Sequence, residues 1–194
     1  MKFFASAAKG TEGVLRDELR ALRLPRVRAD RGGVHFEGGL PDAMRACLHS
    51  RIAMRVLWEL TSFTATDGDD LYAGVRTVPW HEHLDARHTL AVRATCANSA
   101  LTHSHFIALR TKDAVVDALR DRHGARPDVD ADDPDVPITV RIARDVVTVY
   151  LDLSGEPLHR RGYRTELTDA TLKETLARSE EHTSELQSPC NLVC

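Results

Sequence analysis

The stretch from Ser104 to Asp130 places the strongest constraint on how this chain can fold. Its apolar residues recur at steps of seven, eight and eleven positions, which return to nearly the same side of an α-helix. The pattern therefore predicts a helix with one broad apolar stripe, made by Ala108, Leu109, Val115, Val116 and Leu119. We expect this helix to end at His123-Gly124, before the extended and charged segment Arg126-Pro127-Asp128.

One lysine, Lys112, falls inside that apolar stripe. A lysine at such a position lays its carbon stem over the core and extends its ammonium group at an edge, or else is buried against a partner. An acid such as Asp113 or Asp135 is a candidate partner. The opposite side of the helix, which we expect to face water, carries Arg110, Asp113, Asp117 and Arg120.

The length and composition are those of a protein that folds around a real core. A chain of 194 residues can form one medium domain or two small ones, and 42% hydrophobic residues is ordinary. The net charge of −3 gives no overall attraction to nucleic acid, so any RNA or DNA site must be a local basic patch. Because no apolar run approaches about 18 residues and no leader-like start is present, we expect a cytoplasmic protein.

The last part of the chain has an unexpected sequence. Residues 178–189, RSEEHTSELQSP, look like the translation of a common sequencing-library adapter, so we expect the natural sequence to stop at about Ala177. A natural disordered terminus is the alternative. Of the four cysteines, Cys190 and Cys194 lie in the tail after Ala177, and Cys47 and Cys96 lie before it. Without CxxC spacing they are most simply reduced core residues rather than a disulfide or a metal pair.

The first part of the chain predicts a split ferredoxin-like arrangement over residues 1–62. An apolar strand at the start precedes a helix beginning at Thr11, and two strands follow around the turn Asp30-Arg31-Gly32. A second helix, starting near Pro41, is expected to bury Met44, Cys47 and Leu48. Strict alternation from Ile52 to Leu60 completes the order strand, helix, strand, strand, helix, strand. So common a fold says little about activity.

The second part predicts a further mixture of helices and strands. Phe63 to Asp70 is expected to be a polar connection, and residues 71–78 a short helix ended by Pro79. Trp80 is expected to fill an apolar gap, and His88 to Cys96 to form a strand. Two alternating runs around Arg144-Asp145 predict an antiparallel hairpin after the central helix.

Several segments, taken together and in order, resemble a known family. They are FFASAAKG at 3–10, GGVHFEG at 32–38, SHFIALRTKDAVVDALR at 104–120, RPDVDADDPD at 126–135, LDLSGEPLHRRGYR at 151–164 and LKETLA at 172–177. The chain resembles the N-terminal, RNA-binding portion of the bacterial 23S rRNA guanine-N2 methyltransferases, which pair a ferredoxin-like domain with a THUMP domain.

The resemblance implies an α+β protein with a defined order of domains. A ferredoxin-like βαββαβ lobe is expected at residues 1–62 and an α/β THUMP domain at residues 63–155. Residues 156–177 would form a connector to a methyltransferase domain that this chain lacks, and residues 178–194 the adapter-derived tail.

The resemblance also implies a surface that grips RNA. THUMP domains hold the ends or folded parts of an RNA so that a catalytic domain reaches a fixed target. Lysines and arginines would meet the phosphates, and backbone and 2′-hydroxyl contacts would recognise shape. The candidates are Arg110, Lys112 and Arg126 in the central segment, His159, Arg160, Arg161 and Arg164 in the connector, and Lys9.

Each of these candidates has an ordinary structural alternative. Arg110 and Arg126 could be solvated or salt-bridged surface arginines. Lys112 could close over the core and pair with an acid. The connector cluster, which includes Tyr163 as a possible stacking residue, could instead be a hinge that packs on the missing domain.

No catalysis is expected from this chain alone. Such methyltransferase domains bind S-adenosylmethionine with a glycine-rich strand-to-helix turn, and the family uses an Asn-Pro-Pro-Tyr type loop to hold the target nitrogen. Neither occurs in the sequence, and Gly32-Gly33 and Gly38-Gly39 flank a predicted hairpin. The resemblance therefore assigns the cofactor to the missing domain. Structured RNA, 23S rRNA in particular, is the expected partner, with no membrane and no DNA.

Two other classes of function stay open at this point. A small metal-dependent hydrolase could use His81, His83, His103 and His105 with the acidic run at 128–135, and we expect no metal because neither zinc-hydrolase nor EF-hand spacing is present. Surface or capping histidines and a solvated loop are the simpler interpretation. A free-standing RNA-binding or protein-binding module is the other class.

Overall fold

Strands and helices follow one another in the order that the sequence predicts. The computed structural model describes residues 1–124 and 126–158, and within them it has seven β-strands and four α-helices. The strands are β1 (Lys2–Ser6), β2 (Arg28–Asp30), β3 (Gly33–Glu37), β4 (Arg55–Thr64), β5 (Leu90–Ala97), β6 (Val136–Ala143) and β7 (Val146–Asp152). The helices are α1 (Glu12–Ala21), α2 (Leu40–His49), α3 (Gly68–Arg76) and α4 (Ser104–His123), with a short 3₁₀ turn at Trp80–Glu82.

The chain divides into two compact units. Residues 1–58 belong to the first, together with residues 156–158, and residues 59–155 form the second. None of the helices in the described part combines the length and the apolar composition needed to cross a membrane. The rest of the predicted connector, from His159 to Ala177, and the tail at 178–194 lie outside the described residues.

The first unit has the sheet of a ferredoxin-like fold. Its strand order is β2-β3-β1-β4, and β3 pairs antiparallel with both β1 and β2. The register places Lys2 opposite Glu37 and Ser6 opposite Gly33. Helix α1 connects β1 to β2, and α2 connects β3 to β4. This βαββαβ order confirms the fold predicted from the sequence.

The core of the first unit forms between the sheet and its helices. Phe3 of β1 and Phe36 of β3 stack with their ring centroids 5.2 Å apart. Leu15 and Leu19 of α1 are fully buried, as the periodicity predicts. Burial of large apolar side chains from both layers is what holds the helices to the sheet.

The predicted buried face of α2 is wrong. The structure buries Ala43 and Ala46 completely, whereas Met44 is 61% exposed and Leu48 70% exposed. Cys47 is half-buried. The prediction favoured the larger apolar residues, but the helix turns its small residues towards the core and its longer ones outward.

The second unit builds its sheet in the order β4-β7-β6-β5. β5 and β6 run parallel, with Leu90 opposite Val136, and β6 and β7 form the antiparallel hairpin that the sequence predicts. The turn residues Arg144 and Asp145 both have positive φ, at 52° and 62°. A two-residue hairpin loop with positive φ at both positions matches the right-handed twist of the flanking strands.

The predicted polar connection from Phe63 to Asp70 is largely wrong. Phe63 and Thr64 are the last residues of β4, and α3 already begins at Gly68. Asp67 caps α3, because its carboxylate accepts hydrogen bonds from the amides of Asp69 and Asp70, each at 2.9 Å. The polar residues there serve as a helix start rather than as a linker.

Helices α3 and α4 cover the core of the second unit. Leu71 and Val75 of α3 are fully buried. Trp80 is 1% exposed, and its indole N–H donates to the carbonyl of Val75 at 2.9 Å. This burial confirms that Trp80 fills an apolar gap, and the hydrogen bond satisfies its polar atom.

The central helix α4 ends where the sequence predicts, at Gly124, whose φ is 72°. Its buried row differs from the predicted stripe. Leu109 is 44% exposed, whereas a row at steps of four, Ile107, Thr111, Val115 and Leu119, is fully buried together with Ala114. This buried row includes a threonine. The prediction counted apolar residues alone, so it placed the stripe nearer to Leu109.

Candidate nucleic-acid interface

A groove of about 400 Å³ lies on the second unit between α3, α4 and the segment that follows α4. Its polar lining consists of Tyr72, Arg110, Lys112, Asp113, Asp117 and Arg126, and its apolar lining of Val116, Pro127 and Val129. We call it the α3–α4 groove. Because α4 and the residues after it both contribute, one stretch of sequence supplies most of its wall.

The α3–α4 groove brings together three of the residues that the sequence proposes for RNA binding, Arg110, Lys112 and Arg126. Lys9 is exposed in the first unit, in the turn between β1 and α1. The other four candidates, His159, Arg160, Arg161 and Arg164, lie outside the described residues, as does Tyr163.

Arg110 is held tightly by α3. Its Nε donates to the carbonyl of Gly68 at 3.0 Å, and its Nη2 lies 2.6 Å from Oδ1 of Asp69. Its guanidinium carbon sits 4.4 Å from the ring centroid of Tyr72, which is a cation–π contact. The side chain is 31% exposed, so this arginine lies half-buried against α3 rather than on the predicted water-facing side.

Lys112 lies at the edge of the core with its charge paired. Its Nζ is 3.0 Å from Oδ1 of the neighbouring Asp113, and the side chain is 31% exposed. The aliphatic stem therefore covers apolar surface while the ammonium group reaches water. This is one of the two arrangements that the sequence allowed, with Asp113 rather than Asp135 as the partner.

Asp117 is the common acceptor on the α4 side of the groove. Its carboxylate accepts a hydrogen bond from the hydroxyl of Tyr72 at 2.9 Å and pairs with Arg120 at 3.1 Å. Arg126 approaches the same carboxylate at 3.7 Å and is 59% exposed. Arg126 therefore has the longest ion pair and the most exposed side chain among the three proposed RNA-binding residues in the groove.

A second arginine, Arg76 of α3, supports the groove from outside its lining. Nη1 of Arg76 donates to the hydroxyl of Tyr72 at 3.3 Å, and its Nη2 lies 2.7 Å from Oδ2 of Asp121. These two contacts raise the pKa of Arg76, with the hydrogen bond to Tyr72 as the larger cause. These contacts hold the Tyr72 side chain of α3 against α4, and Arg110 covers its ring.

The groove combines fixed and loosely held cations. Three cationic side chains face two carboxylates, so its local charge is only slightly positive. Ion pairs between exposed side chains stabilise a protein by about 0–1 kcal/mol, so Arg126 can exchange Asp117 for a phosphate at little cost. Lys112, paired only with its chain neighbour, can do the same. Arg110 would have to break three contacts in order to bind a phosphate in the same way.

Sequence reasoning missed Tyr72 and the role of Asp117. Tyr72 stands four positions before Arg76, a spacing that places two side chains together on a helix. Its contacts with Arg110 and Asp117 join two separate helices, and nothing in the local sequence indicates which helices will pack.

The histidine and aspartate clusters have structural partners. His103 caps α4, since its Nδ1 accepts from the amide of Phe106 at 3.2 Å. The pKa of His83 is lowered because it is partly buried. Two hydrogen bonds from Thr89 lower the pKa of Asp135. Across residues 1–124 and 126–158, no three His, Cys, Asp or Glu side chains are placed to hold one metal ion.

Two domain-family models match the chain. The RlmL ferredoxin-like domain covers residues 2–57, and the THUMP domain covers residues 65–152. Together with the fold, they define a class of protein in which a ferredoxin-like domain precedes a THUMP domain. The chain contains both domains, an RlmL ferredoxin-like domain followed by a THUMP domain, which confirms the pair of domains that the resemblance implied.

Relatives of known description share this arrangement. The ribosomal RNA large subunit methyltransferase K/L of Syntrophotalea carbinolica is 52% identical over 177 residues, which are 91% of this chain and 25% of that protein. The chain therefore spans a quarter of the length of this curated relative. A Listeria monocytogenes protein, described as a predicted N6-adenine-specific DNA methylase, is 28% identical with a TM-score of 0.82, over 97% of this chain and 48% of that one.

A more distant likeness concerns the fold alone. A 4-thiouridine synthetase, solved in complex with RNA and ATP, has a TM-score of 0.51 and 14% identity. The match covers 78% of this chain and 40% of that one.

Proposed function

We propose that this chain is the RNA-recognition part of a 23S rRNA methyltransferase and that it binds structured RNA through the α3–α4 groove. One observation carries the proposal: Arg110, Lys112 and Arg126 line a single groove on the unit that matches the THUMP domain. Lysine and arginine side chains gathered in a groove are what phosphates of folded RNA require.

The residues of the groove have different roles in this proposal. Lys112 and Arg126 contact phosphates, because their present ion pairs are exposed and weak. Arg110 fixes the wall of the groove through Gly68, Asp69 and Tyr72, and turns its exposed edge to the RNA. The remaining candidates add contacts along the same RNA: Lys9, His159, Arg160, Arg161 and Arg164.

Methyl transfer itself belongs to another part of the protein. The sequence contains no glycine-rich strand-to-helix turn for S-adenosylmethionine and no Asn-Pro-Pro loop. We therefore divide the chain into a ferredoxin-like domain at 1–62, a THUMP domain at 63–155, a connector at 156–177 and an adapter-derived tail at 178–194. The protein acts in the cytoplasm, where ribosomal RNA is made and modified in bacteria.

The affinity of groove variants for RNA tests the proposal. The full chain is titrated into a fluorescent RNA hairpin with a loop and into a DNA duplex with the same number of phosphates. K112A and R126A are each expected to weaken RNA binding several-fold. The matched control is R122A, which removes an exposed arginine of the last turn of α4 that does not line the groove.

The outcomes separate the alternatives. Stronger binding to the DNA duplex than to the hairpin would contradict RNA as the partner. An equal loss in R122A, K112A and R126A would show that general charge, not the groove, attracts the RNA. Calorimetry with S-adenosylmethionine is expected to give no binding heat, and tight binding would contradict the assignment of the cofactor to another domain.

A further inference from the structure

One aromatic ring, Phe106, is presented to solvent beside the α3–α4 groove. It is 45% exposed, whereas Phe3, Phe36 and Trp80 are each 1% exposed. Among the large hydrophobic side chains exposed in residues 1–124 and 126–158, Phe106 is the single aromatic one. Complete burial of this side chain would stabilise the fold further. Its exposure therefore indicates a role other than packing in the core.

The Phe106 ring is held in position by packing, although it is partly exposed. It rests on Gly68 at the start of α3, where a Cβ would lie 2.8 Å from Cζ of Phe106 and 3.8 Å from Nε of Arg110. Glycine at this position therefore lets the ring and the guanidinium lie side by side on the backbone of α3. A ring held in this way loses little conformational freedom when a second flat group stacks on it.

Phe106 continues the groove along α4. It stands one helical turn before Arg110, which lines the groove and touches the same glycine. Lys112 lies six residues further on, a rise of about 9 Å along the helix axis. A strand whose phosphates meet Lys112 and Arg126 would thus pass close to the exposed face of Phe106. Tyr72, the aromatic residue that lines the groove, has its ring covered by Arg110.

We propose that Phe106 is a stacking site for an unpaired base of the bound RNA. Aromatic side chains next to cationic grooves take bases by stacking, which tolerates any sequence because every base has a π-face. The cations near the ring favour a nucleic acid over an apolar protein segment. The inference rests on RNA binding by the α3–α4 groove and adds that the RNA must offer an unpaired nucleotide.

Two RNAs and three variants test this site. The full chain is titrated into an RNA hairpin with an unpaired loop and into a fully paired RNA duplex with the same number of phosphates. F106A is expected to weaken loop-RNA binding roughly 5- to 150-fold and to leave duplex binding unchanged. F106W is expected to bind at least as tightly as the parent chain. The matched control is L109A, which removes an apolar group of 44% exposure from the same helix without removing a ring.

The fold and the proposed function are checked separately from the stacking. F106L keeps an apolar side chain over Gly68, so it is expected to remain folded and still to lose loop-RNA affinity. If the parent chain binds no RNA, the proposed function fails. If the parent chain binds loop RNA, and F106A and F106L bind it as tightly as the parent does, the stacking proposal is wrong and the proposed function stands. A loss in F106A for loop and duplex alike, or an equal loss in L109A, would also overturn it.

Discussion

At the scale of single residues, Arg110 and Arg126 differ in how firmly the surrounding structure holds them. Arg110 makes a hydrogen bond to a backbone carbonyl, an ion pair and a cation–π contact, all with α3. Arg126 approaches one carboxylate at 3.7 Å and is mostly exposed. Arg110 therefore supports the shape of the groove, whereas Arg126 is available to a ligand.

The stability of variants at these two arginines measures that difference. We expect R110A to lower the free energy of unfolding by about 1–2 kcal/mol and R126A to change it by less than about 0.5 kcal/mol. R110K should recover little, because an ammonium group cannot donate to Gly68 and stack on Tyr72 in the same geometry. Urea unfolding gives both values. Equal effects of R110A and R126A would contradict the distinction.

Thr111 is a buried polar residue whose hydroxyl group we expect to destabilise the fold. It is fully buried in α4, and its hydroxyl has no hydrogen-bond partner within the described part of the chain. A buried hydroxyl without a partner costs about 1–3 kcal/mol, and valine has nearly the same shape. T111V is therefore expected to raise the unfolding midpoint in urea, and T111S, which keeps the hydroxyl and loses a methyl group, to lower it. A destabilised T111V would mean that the hydroxyl has a bound partner such as water.

At the scale of elements, the β6–β7 hairpin closes with one residue that rarely adopts its conformation, Arg144, and one that adopts it more readily, Asp145. Arg144 and Asp145 both have positive φ. Asp145 is also tied down, because its carboxylate accepts from the amide of Ala100 at 2.7 Å and from the hydroxyl of Ser99 at 2.9 Å. The turn is thus locally strained, and the hydrogen bonds of Asp145 attach it to the segment that leads into α4.

Relief of that strain is testable at Arg144. A left-handed conformation costs a residue such as arginine about 1 kcal/mol, and asparagine adopts it more readily. R144N is expected to raise the free energy of unfolding by roughly 0.5–1 kcal/mol, as read from thermal or urea unfolding. R144V, with a branched side chain, should lower it. If R144N unfolds more easily than the parent, the positive φ at this turn is not a source of strain.

The elements also show what the sequence can and cannot predict. The order of strands and helices and the end of α4 at Gly124 follow from periodicity and glycine, which act locally. The buried faces of α2 and α4 do not, because the choice between Ala46 and Met44, or between Thr111 and Leu109, depends on the partner that each helix meets. An RNA-binding role for Arg110, Lys112 and Arg126 was proposed from the resemblance, whereas their position in one groove and the contact of Arg110 with Tyr72 required the structure.

At the scale of the whole molecule, affinity for RNA has to be local. The chain carries a net charge of −3, so its overall charge does not attract a polyanion. In the binding mode proposed above, the acids of the α3–α4 groove hold the cations in place until phosphates replace them. Such a surface binds RNA through a few defined ion pairs, and each ion pair formed releases counterions from the RNA.

The salt dependence of RNA binding tests this account most directly. The dissociation constant of the full chain for a structured RNA hairpin is measured from about 50 to 300 mM salt. We expect the logarithm of the association constant, the reciprocal of this dissociation constant, to fall linearly with log salt. The slope is expected to become shallower by roughly 0.7–0.9 in R126A, which in the proposed binding mode loses one phosphate contact. An affinity that does not change with salt, or identical slopes for the parent chain and R126A, would contradict binding through the groove.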